Sequence, residues 1–417
     1  MLKKVENTKE GYIDFIKEIV SIDSQPGEEK NVAERICAEL TGIGADETFI
    51  DGAGNVVSVL RGDGEGPNLL FTGHMDVVPT GIIEAWGEYK PFEPVIVDGK
   101  MYGRGVCDMK GGLCAQIYAY KAAVEAVRKS GRRFSGDLVF CGVVLEEPAE
   151  MFGMRYLFRD TMPQHNIKKP DLVFIGEPST NTLVTGQRGK VELVVKTYGK
   201  VAHSSTPQAG INALEKMVPV MDAIFKREGF VCKTDKLGTI TPITITNCIV
   251  RPGGTLSCVP DECEICVDRR YSPDQTIDEL LKEFTDLFDR LKEKDPEFKA
   301  TVEPRYYDVT AWTGYTERVP KYHPGWQTDE DSEWVQRTVK ALKAVGQTGE
   351  FTYAPAGTDG GITAAENGIP TMLYSGPEPD TAHKPKEYAT VDLMVKNYEG
   401  YLSIITEFYG LDPETFN

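Results

Sequence analysis

Two imidazoles and four carboxylates stand just beyond apolar runs or in a glycine-rich turn of this 417-residue chain. The run Asn68–Thr72 delivers His74 and Asp76 in GHMDVVP. DLVFCGVVLEEP delivers Glu146 and Glu147, DLVFIGEP delivers Glu177, and TMLYSGPEPDTAH leads into His383. Asp108 lies in the turn MYGRGVCDMKGG. Charge at the end of an apolar strand is costly unless it is used. The chain has only five histidines, and two of them sit at such ends. Gathered in one cleft, these groups need cations to relieve their repulsion. Zinc suits the donor set, with cobalt or manganese as other occupants. The set divides around a bridge, as in co-catalytic pairs of ions roughly 3.5–4 Å apart. Asp108 would face both ions, His74 and Glu177 would complete one, and Glu147 and His383 the other. Asp76 would accept the second N–H of His74 and fix its tautomer. Glu146, diverging from its neighbour, would take a proton from water and return it to a leaving amine. The chemistry expected is metal-assisted hydrolysis of an amide.

Such a cleft requires a sheet whose strands end together. Short continuous apolar runs separated by helical patterns predict buried parallel strands, with ligands at their carboxyl ends. The first helix is expected to be capped by Asn7 or Thr8 and to bury Tyr12, Phe15, Ile16, Ile19 and Val20. A second helix follows through Val32, Ile36 and Leu40, then a hairpin around Asp51–Asn55, and later a helix over 113–129. Beyond Leu183 the pattern changes to alternating strands (VELVVKTYGK, TPITITNCIV, CEICVDRRY) with amphipathic helices over 212–227 and 277–292. Strand–helix–strand–strand–helix–strand is the order of a ferredoxin-like unit. The expected architecture is α/β: a mainly parallel catalytic domain, residues 1–183 and 309–417, interrupted by a ferredoxin-like α+β lid and dimerisation domain over 184–308.

At this length two domains are the prior. Acidic residues number 64 against 46 basic ones, a net charge of −18, which argues against nucleic-acid or anionic-membrane partners. Nine scattered cysteines do not form a disulfide framework. With no signal-peptide pattern and no run of membrane-spanning length, a reducing, cytoplasmic setting is expected.

GHMDVVP, GRGVCDMKGG, EE, GEP and the late AH occur in an order that resembles the M20 metallopeptidase and deacylase family, and the resemblance runs from the first helix to His383. It implies the same five ligands, His74, Asp108, Glu147, Glu177 and His383, with Glu146 as base. It further implies that His203, in AHSSTP, reaches across a homodimer to stabilise an oxyanion; the alternative is a surface loop histidine. Arg270 of VDRRY would grip a substrate carboxylate, bidentately as a guanidinium can, while Arg269 is expected to be an exposed strand residue. Within the family, HSSTPQAGINA, VDRRYSP and AWTG look most similar to a less characterised hydrolase branch found near selenium and purine metabolism genes. Pro148-Ala149-Glu150 and Ser257 depart from the family pattern, the latter where an asparagine often binds substrate. The implied substrate is a small N-acyl amino acid or a dipeptide. Cleavage of a ureido or carbamoyl C–N bond and a catalytically silent binder are the rival readings. The glycines of GTDGG (357–361) are expected to allow close approach to substrate or to form a simple turn. His165 and His323 are expected to be exposed, and Trp312 to pack or to line the pocket. Cys258, Cys263 and Cys266 lack a fourth ligand for a structural zinc.

Overall fold

A computed structural model describes residues 2–149, 151–230, 234–235, 238–239, 243–252 and 257–410. Glu150, part of the departure noted above, lies outside the described residues.

The large sheet has nine strands: β1 (Glu47–Ile50), β2 (Val56–Leu60), β3 (Leu69–His74), β4 (Leu138–Val143), β5 (Leu172–Ile175), β6 (Leu183–Gln187), and further along the chain Trp326–Gln327, Phe351–Ala354 and Thr371–Leu373. Its centre runs β4, β3, β5, Thr371–Leu373, all parallel. The flanks are antiparallel: β1 and β2 on one side, β6 and Trp326–Gln327 on the other, with Phe351–Ala354 parallel to β6. The sheet is therefore mixed, and parallel only at the centre. That centre is where the apolar runs are continuous, because strands covered on both faces have no polar side. Successive side chains still point to opposite faces. Leu69, Phe71, Leu138, Phe140, Leu172 and Phe174 enter one core, while Leu70, Val139, Cys141, Val173 and Ile175 enter another.

Among the described residues, five helices contribute to the core on the first face: α1 (Leu2–Ser21), α2 (Lys30–Thr41), α3 (Gly111–Ser130) and, later in the chain, Glu333–Ala344 and Val391–Tyr409. Tyr12, Phe15, Ile16, Ile19 and Val20 are all buried as their spacing requires. The helix begins at Leu2, however, so Asn7 and Thr8 lie within it rather than at its cap. Asp51 makes the expected hairpin by accepting the main-chain N–H groups of Ala53, Gly54 and Asn55 on one oxygen, each at 3.0 Å.

The second sheet is antiparallel throughout. Its strands are β7 (Gly189–Tyr198), β8 (Ile243–Arg251), β9 (Glu262–Tyr271) and β10 (Ala300–Pro304), in the order β8-β9-β7-β10, with Tyr322–His323 also on β7. Helices α4 (Ala213–Lys226) and α5 (Ile277–Lys294) pack on one face and share a core of their own with Val191, Leu193, Val195, Ile265 and Val267. Asn212 caps α4, and Thr276 with Glu279 forms a reciprocal capping box on α5. Connection order and sheet order are those of the ferredoxin-like unit. No helix among the described residues is long and apolar enough to cross a membrane.

Candidate metal centre

The parallel strands bring their carboxyl ends to one edge. His74 closes β3, Glu146 and Glu147 open a short helix (Glu146–Ala149) after β4, and Glu177 lies two residues past β5. Asp108 comes from the turn between Gly105 and α3. Gly105 has φ +84°, a left-handed conformation that glycine adopts freely, and Asp108 itself is extended (φ −123°, ψ 99°). A side chain on Gly112 would run into the carbonyl of Gly176, so α3 can approach β5 closely only with glycine there. His383 follows the last parallel strand by ten residues, at φ +63°.

Asp108 faces two imidazoles. One carboxylate oxygen is 3.0 Å from His74 Nε2, and the other is 3.1 Å from His383 Nε2. Each imidazole has a second carboxylate: Glu177 lies 3.7 Å from His74 Nε2, and Glu147 lies 3.0 Å from His383 Nε2. His74, Asp108 and Glu147 present ligand atoms within metal-holding range of one another, as do His74, Glu146 and Glu177. The expected residues converge, but these groupings cut across the two expected sets: the first joins His74 to Glu147, and the second takes Glu146 in place of Asp108. His74 is buried, whereas the side chain of His383 is 51% exposed and forms the open side.

The electrostatics call for cations. Burial pushes the carboxyls of Glu146, Glu147 and Glu177 above the usual range, and repulsion from neighbouring carboxylates adds to it. Asp108 is driven up by burial too, but His383 and His74 outweigh this and hold it below its ordinary value. Asp108 in turn raises His383 to about 10. Positive charge among the three glutamates reverses their shifts.

Asp76 does more than expected, and differently. His74 Nδ1 lies 2.9 Å from the main-chain oxygen of Asp76, while the Asp76 carboxylate is 3.6 Å away. The carboxylate instead accepts the main-chain N–H groups of Glu146 and Glu147, one on each oxygen, both at 3.1 Å. It ties the end of β3 to the turn after β4. That turn contains Leu145 at φ +57°, a strained conformation for a branched residue. Its N–H is held by Glu29 at 3.2 Å.

Three buried carboxylates that act on the cluster were missed in the sequence: Glu29, Asp359 and Glu387. Burial raises Glu29 and Asp359 to about 7 each. Asp359 belongs to GTDGG, and its negative charge acts on Glu146 and Glu177. The glycines around it serve packing: side chains at 357, 360 and 361 would strike His323, Trp326 and Met151.

Other expectations need correction. Arg269 is fully buried and pairs bidentately with Glu283 of α5 at 2.7 and 2.9 Å; it is not an exposed strand residue. Residues 263, 265, 267 and 269 alternate inward along β9, and Arg270 therefore points away, paired with Asp268 at 2.7 Å. His323 is buried rather than exposed, and His165 stacks on Phe49 with ring centroids 3.8 Å apart. Trp312 packs over Gly54. His203 is exposed and bonded to Ser205. Among the described residues, no hydrogen bond or ion pair joins His203 or Arg270 to the cluster.

Comparison with known proteins finds relatives along most of the chain. The chain is 29% identical over 421 residues to the uncharacterized protein YgeY of Escherichia coli, covering 99% of this chain and 96% of the relative. It is 27% identical to acetylornithine deacetylase of Vibrio vulnificus, covering 85% and 84%. Its fold matches the Bacillus subtilis YXEP protein, a dinuclear metal-binding M20 peptidase, with TM-score 0.65, 14% identity and coverage of 97% and 99%. The model of peptidase family M20/M25/M40 matches residues 70–407, a span that holds every member of the cluster, and the chain belongs to that family of metal-dependent peptidases and deacylases.

Proposed function

We propose that the chain hydrolyses the amide bond of a small N-acyl amino acid or dipeptide at a centre of two divalent ions. His74 and Glu177 would hold one ion and Glu147 and His383 the other, with Asp108 shared. The observation that carries this reading is Asp108 itself, whose two oxygens each face a separate imidazole–glutamate pair. Mixed nitrogen and oxygen donors suit Zn²⁺ first and Co²⁺ or Mn²⁺ next. When bound, the ions supply Lewis-acid polarisation of the scissile carbonyl and a lowered pKa for the attacking water.

The remaining work falls to the chain. Glu146 is 8% exposed, beside His74 and Glu177, and belongs to the buried glutamates driven toward protonation. A carboxylate so placed takes the proton from water and passes it to the departing nitrogen. Asp76 fixes the main chain under Glu146 and Glu147, so the proton acceptor and its neighbour keep their separate directions. Arg270 would grip the substrate carboxylate and His203 would steady the oxyanion, both arriving when the second sheet closes as a lid. His203 would come from a second copy. Support for that homodimer is the exposed apolar stripe Leu214, Val218 and Phe225 on α4, beside the mostly exposed strand β8. A reducing cytoplasm would suit the eight described cysteines, all free.

The test is metal counting together with a hydrolysis panel of N-acyl amino acids, dipeptides and N-carbamoyl compounds, using zinc-, cobalt- and manganese-loaded protein. Glu146→Ala is expected to lower kcat by ~10²–10⁴-fold with ion content unchanged. Turnover of N-carbamoyl compounds alone would replace the acyl reading, and fewer than two ions per chain would end the dinuclear one.

A further inference from the structure

The turn that carries Asp108 is held from behind by a buried ion pair. Glu387, four residues past His383, accepts the main-chain N–H groups of Cys107 at 2.9 Å and Asp108 at 3.1 Å on one oxygen. Its other oxygen accepts from Arg104 Nη1 at 2.5 Å. Neither side chain is more than 2% exposed. Arg104 is fixed in turn by the carbonyl of Pro79 and by the ring of Trp86, 5.3 Å from its guanidinium carbon. Main-chain contacts run the same way: Gly103 N–H donates to the carbonyl of Glu387, and Tyr388–Thr390 pairs with Lys100–Tyr102. Both oxygens of Glu387 are thus occupied, and it does not serve the cleft directly. It joins the segment bearing Asp108 to the segment bearing His383.

The two imidazoles differ in how they are held. His74 ends a central strand and has its Nδ1 fixed by Asp76. His383 stands in a loop at positive φ, half exposed. The His74 side is secured by the sheet, and the His383 side depends on whatever fixes its loop against Asp108.

We infer that Glu387, braced by Arg104, is a positioning residue that sets the approach of His383 to Asp108, and thereby the affinity of the His383–Glu147 side for its divalent ion. This rests on the two-ion reading proposed above. Supporting residues behind metal ligands are worth ~10–100-fold in affinity, and here the loss should fall on one ion only.

Cobalt(II) titration of the full chain, followed by visible absorption and calorimetry, separates the possibilities. Wild type must first bind two ions; fewer would end the two-ion reading itself, independently of Glu387. Given two, Glu387→Ala is expected to weaken one ion by ~10–100-fold and leave the tighter one within threefold of wild type. Because Glu387→Ala strands Arg104 as a buried charge, the paired variant Arg104→Met with Glu387→Met is measured beside it. Replacing a buried ion pair by apolar side chains is commonly neutral for folding. The paired variant is expected to melt cooperatively, as wild type does, and to show the same selective loss. Two ions bound with wild-type affinity by either folded variant, or equal weakening of both ions, overturns the inference.

Discussion

Arg269 in the second sheet and His74 in the first are equally hidden from solvent, yet their surroundings differ in kind. Arg269 meets the carboxylate of Glu283 through two parallel hydrogen bonds, and its charge is balanced within the chain. Around His74 gather Asp108, Glu177, Glu146 and Asp76, with His383 as a further positive partner of Asp108. Burial there drives carboxyls toward protonation instead of settling them into pairs. A charge matched inside the fold is structural. A surplus of one sign, converging where strands end, calls for ions from outside.

The contrast is broken most severely at Asp108. On the proposed two-ion reading, Asp108→Ala removes the ligand shared by both sides, so ion content should fall below one per chain. Hydrolysis should drop by more than ~100-fold, the most expected from loss of a supporting residue alone. Two ions retained by this variant would show that the cluster is not organised around a bridge. Its counterpart in the second sheet is Arg269→Ala, which removes the guanidinium that both oxygens of Glu283 accept from. Stability measured by urea unfolding should fall by ~3–5 kcal/mol, with ion content untouched. A neutral result would mean that the Arg269 pair is no more structural than a surface bridge.

Arg270 sharpens the comparison at smaller scale. It lies on the same strand, one residue on and on the opposite face, with a partly exposed partner in Asp268. Arg270→Ala should change stability by no more than ~1 kcal/mol. KM should rise for substrates with a free carboxylate and stay constant for their amides. Equal changes in KM for both would remove Arg270 from substrate recognition.

Most of the converging residues were legible because all but Asp108 follow an apolar run, and a run predicts a strand whether or not its partners are known. Glu29, Asp359 and Glu387 left no such signal. Glu29 and Glu387 hold main-chain N–H groups 116 and 280 residues away, and no local period records that. The topology of the second sheet was legible from period-two alternation and two amphipathic helices. The inward turn of Arg269 was legible in the same alternation, through Cys263, Ile265 and Val267, but the motif drew attention to Arg270 instead. The sheet was expected to be mainly parallel because the apolar runs that lead into the cluster are its central strands; the antiparallel flanks β2 and β6 are buried as fully, and the direction of pairing leaves no mark in their sequence.

The smallest effect expected is one of pH, and it separates the two sheets without mutation. Glu29 and Asp359 hold a proton in the folded, ion-free chain up to about 7, against ordinary values of 4.5 and 3.8. Between those limits the folded chain binds more protons than the unfolded one, so stability falls as pH rises. His383, raised from 6.5 to about 10 by Asp108 and Glu147, contributes stability that is full below 6.5 and is lost as pH climbs toward 10. Both trends have the same sign. In chelator-treated protein the Tm should therefore decline steadily from pH 5 to pH 9. Loading with zinc should reverse the slope over the lower half of that range, because ion binding requires deprotonated carboxylates and neutral imidazoles. A Tm of the chelated protein that rises between pH 5 and pH 7 would mean that these carboxylates are paired within the chain as Arg269 is, and the contrast between the sheets would fall.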